Sequence, residues 1–526
     1  MQKLLFSFKR LLAGILLFLY LISATSAWAD GLFIADTVNL PATTDGQSNF
    51  VEVQFSDDFD TAPVVALTPN TNNPDPAGIR IRNVTPEGFE VHMVEPPGSN
   101  GEGPAMGDVS FFAAEPGLYD IGGTALEVGF VSTDETVSKT GGTSGFQNVN
   151  FTQTFNNAPV VVGMAQTMES ETNVPPGDPT DPWLTVTARN LSTTAMQIAF
   201  ERAETGSGDL TAPERLGFVA IDSGTGSFTD NSSNTVDFDA FATADAITGN
   251  LATVNYNQTF STAPLINANL RSRDGGDGGW AQIGTNTAAN VQLTVEEDLA
   301  SDSDQNHTTE SLSVVAFSGA FVESLTRKTT YEWSAGGGSD SSSDGANWNG
   351  WNGSNASLEV GAGLLFDDTG SARTTPDIDT IYTTALGQIR FTESTAYSLN
   401  GSGGFAFADG ASIVNDSSVT QTVGVDLTAL GSTFGIRADG GDLTLTSGAD
   451  LDLSTSSVTR LFVSGPDDVS IASEISGSGA DVIKTGTGTL TLTGTNTYGG
   501  LTYIHDGELI TGANNLPGDV RNESEL

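Results

Sequence analysis

Few residues in this chain could carry acid–base or metal chemistry. Among 526 residues there are three histidines, His92, His307 and His505, and no cysteine. A Ser-His nucleophile or a His-ligated metal would need one of these imidazoles, and they lie in three separate stretches of the chain. In His307-Thr308-Thr309-Glu310 the imidazole and carboxylate are three residues apart, and on a strand they point to opposite faces; a packing or solvated role is expected. Oxygen-rich loops are the better ligand candidates. Asp274-Gly275-Gly276-Asp277 and Ser301-Asp302-Ser303-Asp304-Gln305-Asn306 bring Asp274, Asp277, Asp302 and Asp304 near enough to serve one hard cation, for which Ca2+ is the natural choice. The second loop starts like an EF-hand but lacks its central glycine, and Ser313 stands where the bidentate Glu should be, so solvated loops are the plainer expectation. Sixty-five acidic residues can be paired as glycosidase carboxylates in many ways, and no local motif selects a pair. No catalytic residue is assigned, and the chain is expected not to be an enzyme.

Composition sets the compartment. Lys3, Lys9 and Arg10 precede an apolar run from Leu11 to Ile22, and Ala27-Trp28-Ala29 supplies a small-x-small site before Asp30. Residues 1–29 therefore read as a secretory signal peptide, with a run too short to span a bilayer comfortably. Its removal leaves 16 basic residues against 65 acidic ones, a net charge near −49. Such a polyanion repels nucleic acid and anionic headgroups, so neither is an expected partner, and no membrane insertion by this chain is expected. Without cysteine there are no disulfides, and stability must come from stacked sheets. The chain is expected outside the cell, secreted or on the outer surface.

The elements that would position a site are strands throughout, so the expected class is all-β. Up to about residue 325 an internal repeat recurs. Val53-Gln54-Phe55-Ser56-Asp57-Asp58-Phe59-Asp60-Thr61-Ala62-Pro63-Val64-Val65 is matched by Val149 to Val161 and again by Val254 to Ile266, with starts 96 and 105 residues apart. Each copy is an alternating strand, a turn, and an Ala-Pro that launches a more apolar strand; proline at a strand's first residue loses no ladder bond. Hairpins at Arg80 to His92 and Ala188 to Phe200 follow, and closing strands begin at Phe111, Phe218 and Val314. Three tandem antiparallel β-sandwich units are expected at 31–123, 124–224 and 225–325, with Phe59, Phe155 and Phe260 buried at equivalent positions.

After residue 330 Gly, Ser and Thr dominate. Trp333, Trp348 and Trp351 come first, positioned to cover an apolar end, and short alternating strands such as Leu443-Thr444-Leu445 and Val469-Ser470-Ile471 follow. From Ile483 the chain reads Ile-Lys-Thr-Gly-Thr-Gly-Thr-Leu-Thr-Leu-Thr-Gly-Thr-Asn-Thr-Tyr-Gly-Gly. A lone rung of this kind cannot bury its leucines and makes physical sense only when stacked. Residues 330–526 are expected to form a right-handed β-solenoid. The wording at about 480–520 resembles the autotransporter-associated β-strand repeat of secreted bacterial passenger domains. That resemblance implies an elongated, non-enzymatic surface protein, and the residues after Leu516 show no pattern of outer-membrane barrel strands.

The strand order of the first three units, with Arg82-Asn83 and Arg189-Asn190 at hairpin turns, resembles the H-type lectin domain, a six-stranded sandwich that binds N-acetylgalactosamine-type sugars and usually trimerises. The resemblance implies carbohydrate contact by Arg82 and Arg189 with Trp183 as a neighbouring aromatic, glycan or surface-polysaccharide partners, and a homo-oligomer. The third copy offers Asn286 or Trp280 instead of an arginine. An arginine beside Asn at a hairpin also serves to tie down its own turn. The expected function is that of an adhesin-like protein with the solenoid as stalk; a purely structural extracellular component is the alternative, and a polysaccharide-degrading enzyme a lesser one.

Overall fold

The computed structural model describes residues 31–41, 50–71, 77–94, 106–137, 145–170, 183–202, 210–276, 278–298, 307–456, 459–512 and 515–522. The signal segment at 1–29 lies outside them. The chain is all-β, with three short 3-10 turns and no α-helix among the described residues.

Each of the first three units is a six-stranded antiparallel sandwich built in the same order. In the first, Gly107–Ala114 lies between Gly31–Leu40 and Val64–Leu67, and this sheet faces one in which Gly88–Val94 lies between Val51–Gln54 and Gly78–Arg82. The second repeats this with Glu214–Ile221 between Thr124–Thr133 and Val160–Ala165, and Ala195–Arg202 between Gln147–Asn150 and Leu184–Arg189. The third does so with Leu312–Phe317 between Thr235–Ala242 and Leu265–Leu270, and Asn290–Glu297 between Ala252–Asn255 and Gly279–Asn286. Phe59, Phe155 and Phe260 are buried in the cores of their units. Each packs edge to face on the aromatic four residues earlier, Phe55, Phe151 or Tyr256, at 4.9, 4.9 and 5.1 Å between ring centres. Their amides bond the carbonyls of Pro86, Thr193 and Ala288, so the same turn is pinned the same way in all three copies.

The three sandwiches close into a ring. A linking strand leaves each unit and pairs with the first strand of the next: Gly117–Ile121 on Thr124–Thr133, and Gly224–Thr229 on Thr235–Ala242. The third link, Phe321–Arg327, returns to the start and pairs with Gly31–Leu40, Gly31 opposite Leu325 and Ala35 opposite Phe321. A shared apolar core then fills the middle, with Phe33 and Phe112 from the first unit, Val162 and Val219 from the second, and Phe238 and Phe317 from the third. The proline-led strand of each unit lies at the edge of its own unit's sheet, the third also bridging to the second unit at Thr187 and Leu270, and its second amide is satisfied by the neighbouring unit. Val161 donates to the Ser313 hydroxyl, Ile266 to the Ser110 hydroxyl, and Val65 to the Gln166 side chain. At that last interface Gly217 stands where the others have serine, and a Cβ there would press on Gln166 and Val64 at 2.8–3.0 Å. The smaller residue makes room for the longer donor.

From Thr330 the chain becomes a solenoid of parallel strands with three faces. One face stacks Gly363–Phe366, Ile381–Phe391, Gly404–Asn415, Thr433–Ala438, Arg460–Ser464, Asp481–Lys484 and Thr502–Ile504. A second stacks Gln421–Val423, Leu443–Leu445, Val469–Ile471, Thr489–Leu492 and Glu508–Thr511, in which Leu443, Val469 and Leu490 point inward and Thr444, Ser470 and Thr491 outward. Asp426–Ala429, Leu451–Asp452 and Ile475–Ser476 belong to the third. Trp333, Trp348 and Trp351 are buried over the first coil, with ring centres 5.1 and 4.9 Å apart in sequence. They cover the apolar end that a solenoid must shield.

The solenoid is not a free stalk. The outer positions of its first face, in register from Gln388 through Ser412, Gly435, Phe462 and Ile483 to Tyr503, meet the ring. Gln388 donates to Asp60, the Gly435 backbone lies under Asp60 and Thr61, and Phe462 and Ile483 pack with Ala62, Val84 and Tyr503.

Candidate functional site at the junction of ring and solenoid

The arginines singled out in the sequence make matching clamps. The Arg82 guanidinium lies 3.6 Å over the Phe50 ring and its Nε donates to Glu90; the Arg189 guanidinium lies 3.6 Å over Phe146 and its Nε donates to Gln197. Asn83 and Asn190, at φ 49° and 53°, turn the chain and donate to the same acceptors. Strand register places Leu251 where Phe50 and Phe146 stand, and the turn hydrogen bonds place Gly284 where the arginines stand. The third unit thus lacks both halves of the clamp. Trp183 has a different neighbourhood: it is buried against Trp280, 5.4 Å between ring centres, and against Val94 and Gly78. The structure does not bring Arg82, Arg189 and Trp183 into one site.

The acidic loop of the third unit is organised by other carboxylates. Buried Glu310 accepts from the amides of Asp274 and Gly275 and from the Ser272 hydroxyl, and Glu201 of the second unit accepts from Arg273 at 2.5 Å and from the Gly279 amide. His307 is buried, 3.7 Å from Glu297 and 3.9 Å from Glu310. Asp277, Asp302 and Asp304 lie outside the described residues. Among the described residues no three His, Asp or Glu side chains converge on a metal position.

What the sequence did not reveal is the junction. On one side of it Arg390 bridges Asp60 and Asp416, and Arg437 faces Asp58, Asp60 and Asp439 while donating to the Phe59 carbonyl. These groups, with Asp57 and Glu115, line a cavity of about 500 Å3. Burial, and then the Asp60 charge, push the Glu115 carboxyl well above the usual carboxylate range. On the other side lies a cleft of about 200 Å3 between the Arg82 turn, the second unit and the last coils of the solenoid. Its wall carries Arg82, Arg215 and Arg460, and its floor is the Phe462, Ile483, Tyr503 column. Arg460 pairs with Glu169 across the joint. The rings of Tyr503, on the strand Thr502–Ile504, and of His505, just past its end, are nearly parallel at 11° with centres 6.2 Å apart. The signal for this joint was present: strands 460–464 and 481–484 are apolar on both faces, as strands covered on both sides are.

Comparison with known proteins returns one family. Residues 482–510 match the model of the passenger-associated-transport-repeat family. That match and the stacked solenoid fit an autotransporter passenger-type repeat protein, and the repeat points to an extracellular or surface location. No curated protein and no solved structure matches the chain, so the resemblance of the first three units to H-type lectins gains no support from these comparisons. Among the described residues no helix is long and apolar enough to cross a membrane.

Proposed function

We propose that this is a non-catalytic passenger-type protein of the cell exterior whose ring and solenoid together present a saccharide-binding cleft, giving it an adhesin-like role. The observation that carries the reading is the cleft itself. It combines a half-buried aromatic pair, Tyr503 and His505, with hydrogen-bonding groups from Arg82, Asn83, Thr85 and Thr167. Saccharides are held by such a mixture: a ring face on an aromatic and hydroxyls on fixed polar groups. Arg82 enters this site as a wall residue held by Phe50 and Glu90. A glycan array probed with the full chain and with its Tyr503→Ala variant tests the reading. Signal that is lost in the variant is expected; an array without signal above background removes saccharide binding.

The commitment of Arg189 to its clamp favours a second reading, a purely structural extracellular component in which these arginines only rigidify turns. The same array separates the two.

A further inference from the structure

One group in the cleft is out of keeping with its surroundings. The chain has 65 acidic residues against 19 basic ones, so carboxylate partners for a basic side chain are plentiful. Arg215 is buried, 7 % exposed, at the back of the cleft. Its guanidinium rests 3.8 Å over the Phe130 ring, one nitrogen donates to the Thr433 hydroxyl at 3.1 Å, and Nε is buried without a hydrogen bond. No carboxylate stands within ion-pair distance of it among the described residues, whereas Arg460 beside it has Glu169 and Arg82 has Glu90. Burial pushes its pKa down to about 10; Asp409, reached only through the Thr433 hydroxyl, opposes that shift and the Arg460 charge adds to it. A buried charge without a counter-ion is costly, and such charges are ordinarily paired. A rigid guanidinium fork with free donor capacity, opening on a cleft, is the group that recognises planar carboxylate or sulfate oxygens. Tyr503 and His505 line the same cleft, beside the buried Phe462 of its floor.

We infer that the cleft takes an acidic saccharide, whose carboxylate or sulfate seats on Arg215 while a pyranose ring lies on Tyr503 and His505. This deepens the saccharide-binding reading above and rests on it. The anion completes the ion pair that the fold leaves open. Near Arg215 the attraction is local, because the rest of the surface is strongly negative and repels a long polyanion. Short acidic oligosaccharides or chain ends are therefore preferred over extended acidic polymers.

Isothermal titration of the full chain with three trisaccharides of the same ring count tests this: one of uronic acids, one sulfated and one neutral. The expected result is that an anionic probe binds at least about tenfold tighter than the neutral one, since charge-assisted hydrogen bonds are the strong ones. Whichever anionic probe binds better identifies carboxylate or sulfate as the recognised group. Arg215→Met should cost about tenfold or more, and Arg215→Lys should retain part of the affinity, which separates lost charge from lost packing. Tyr503→Ala, at a half-buried position that the fold tolerates better, should weaken all three probes together. Equal binding of neutral and anionic probes overturns the acidic-ligand assignment and leaves saccharide binding standing. Anionic binding untouched by both Arg215→Met and Tyr503→Ala places the ligand outside the cleft and overturns both the acidic-ligand assignment and the cleft reading. No binding by any of the three, with an array that is also silent, overturns both.

Discussion

Arg82 and Arg189 show how a residue type that suggests recognition can be explained by its own turn. The Arg-Asn pair was visible in the sequence, but its ring partner was not: Phe50 precedes Arg82 by 32 positions and Phe146 precedes Arg189 by 43, and no local pattern links them. Strand register makes the link, and the third unit confirms the coupling by carrying Leu251 and Gly284 instead. We predict that Phe146→Leu and Arg189→Gly in the second unit cost less together than the sum of their separate costs, with a coupling of ~1 kcal/mol from the lost cation–π contact. A double-mutant cycle read by hydrogen exchange of residues 189–198 measures it, and strict additivity would show that the stacking contributes nothing. Phe155→Ala is a harsher change. With a side chain 2 % exposed it should cost ~3–5 kcal/mol within its own unit, seen as faster exchange in strands 147–150 and 195–202 before the other two units respond.

At the scale of elements, the three Ala-Pro strands and the Thr-Leu rungs were legible because each is a local pattern of period two with its own turn residues. Ring closure was not legible. The ladder between Phe321–Arg327 and Gly31–Leu40 joins residues some 290 positions apart, and nothing in either strand names its partner. The unit interfaces were hidden for the same reason, since Ser110, Ser313 and Gln166 look like ordinary polar strand residues until an edge strand is placed beside them. Gln166→Ala should leave the buried Val65 amide and carbonyl without partners, since the Gln166 side chain bonds both at 2.9 and 2.8 Å. Loss of ~1–3 kcal/mol is expected at the interface of the first and second units, measured as exchange of the Val65 amide with the remaining two interfaces unaffected. Along the solenoid, carboxylates of one coil accept from backbone amides of the next. Asp409 takes the amides of Ser432 and Thr433 at 3.0 and 2.9 Å, Asp442 that of Asp468, and Asp468 that of Thr489. Gly, Ser and Thr composition signalled the rungs but not these staples. Asp409→Ala should loosen the coil at 431–438 by ~2–3 kcal/mol, because it removes charge-assisted bonds that also hold Thr433 against Arg215. Unchanged protection of the Ser432 and Thr433 amides in that variant would count against the staple.

For the whole molecule the question is what holds two acidic bodies together. Removing carboxylates from water at the junction raises their pKa values: Glu115 through burial and then Asp60, and Asp416 through burial, with Arg390 opposing and Asp60 and Asp439 adding. In the third unit burial pushes Glu296 up to about 7, as burial and then Asp230 do for Glu323 on the ring-closing strand. A carboxyl whose folded pKa lies above its unfolded value binds protons preferentially when folded. Its contribution to stability is fully present below the unfolded pKa, near 4.5 for a glutamate, and is lost as pH rises through the folded value. Acidification from about pH 8 to about pH 5 should therefore raise the melting temperature. Relief of general self-repulsion acts in the same direction, so the wild type alone does not isolate the junction. Glu115→Gln does: it keeps the shape, removes one titration, and should be more stable than wild type above neutrality while converging with it near pH 5. Glu115 faces Asp60 and the guanidiniums of Arg327 and Arg390, so its proton reports on contacts from both ring and solenoid. Melting curves of the two proteins across that range decide the matter. Parallel curves, offset by a constant amount at every pH, would mean that Glu115 stays ionised in the folded chain and that the two arginines, rather than a proton, balance its charge.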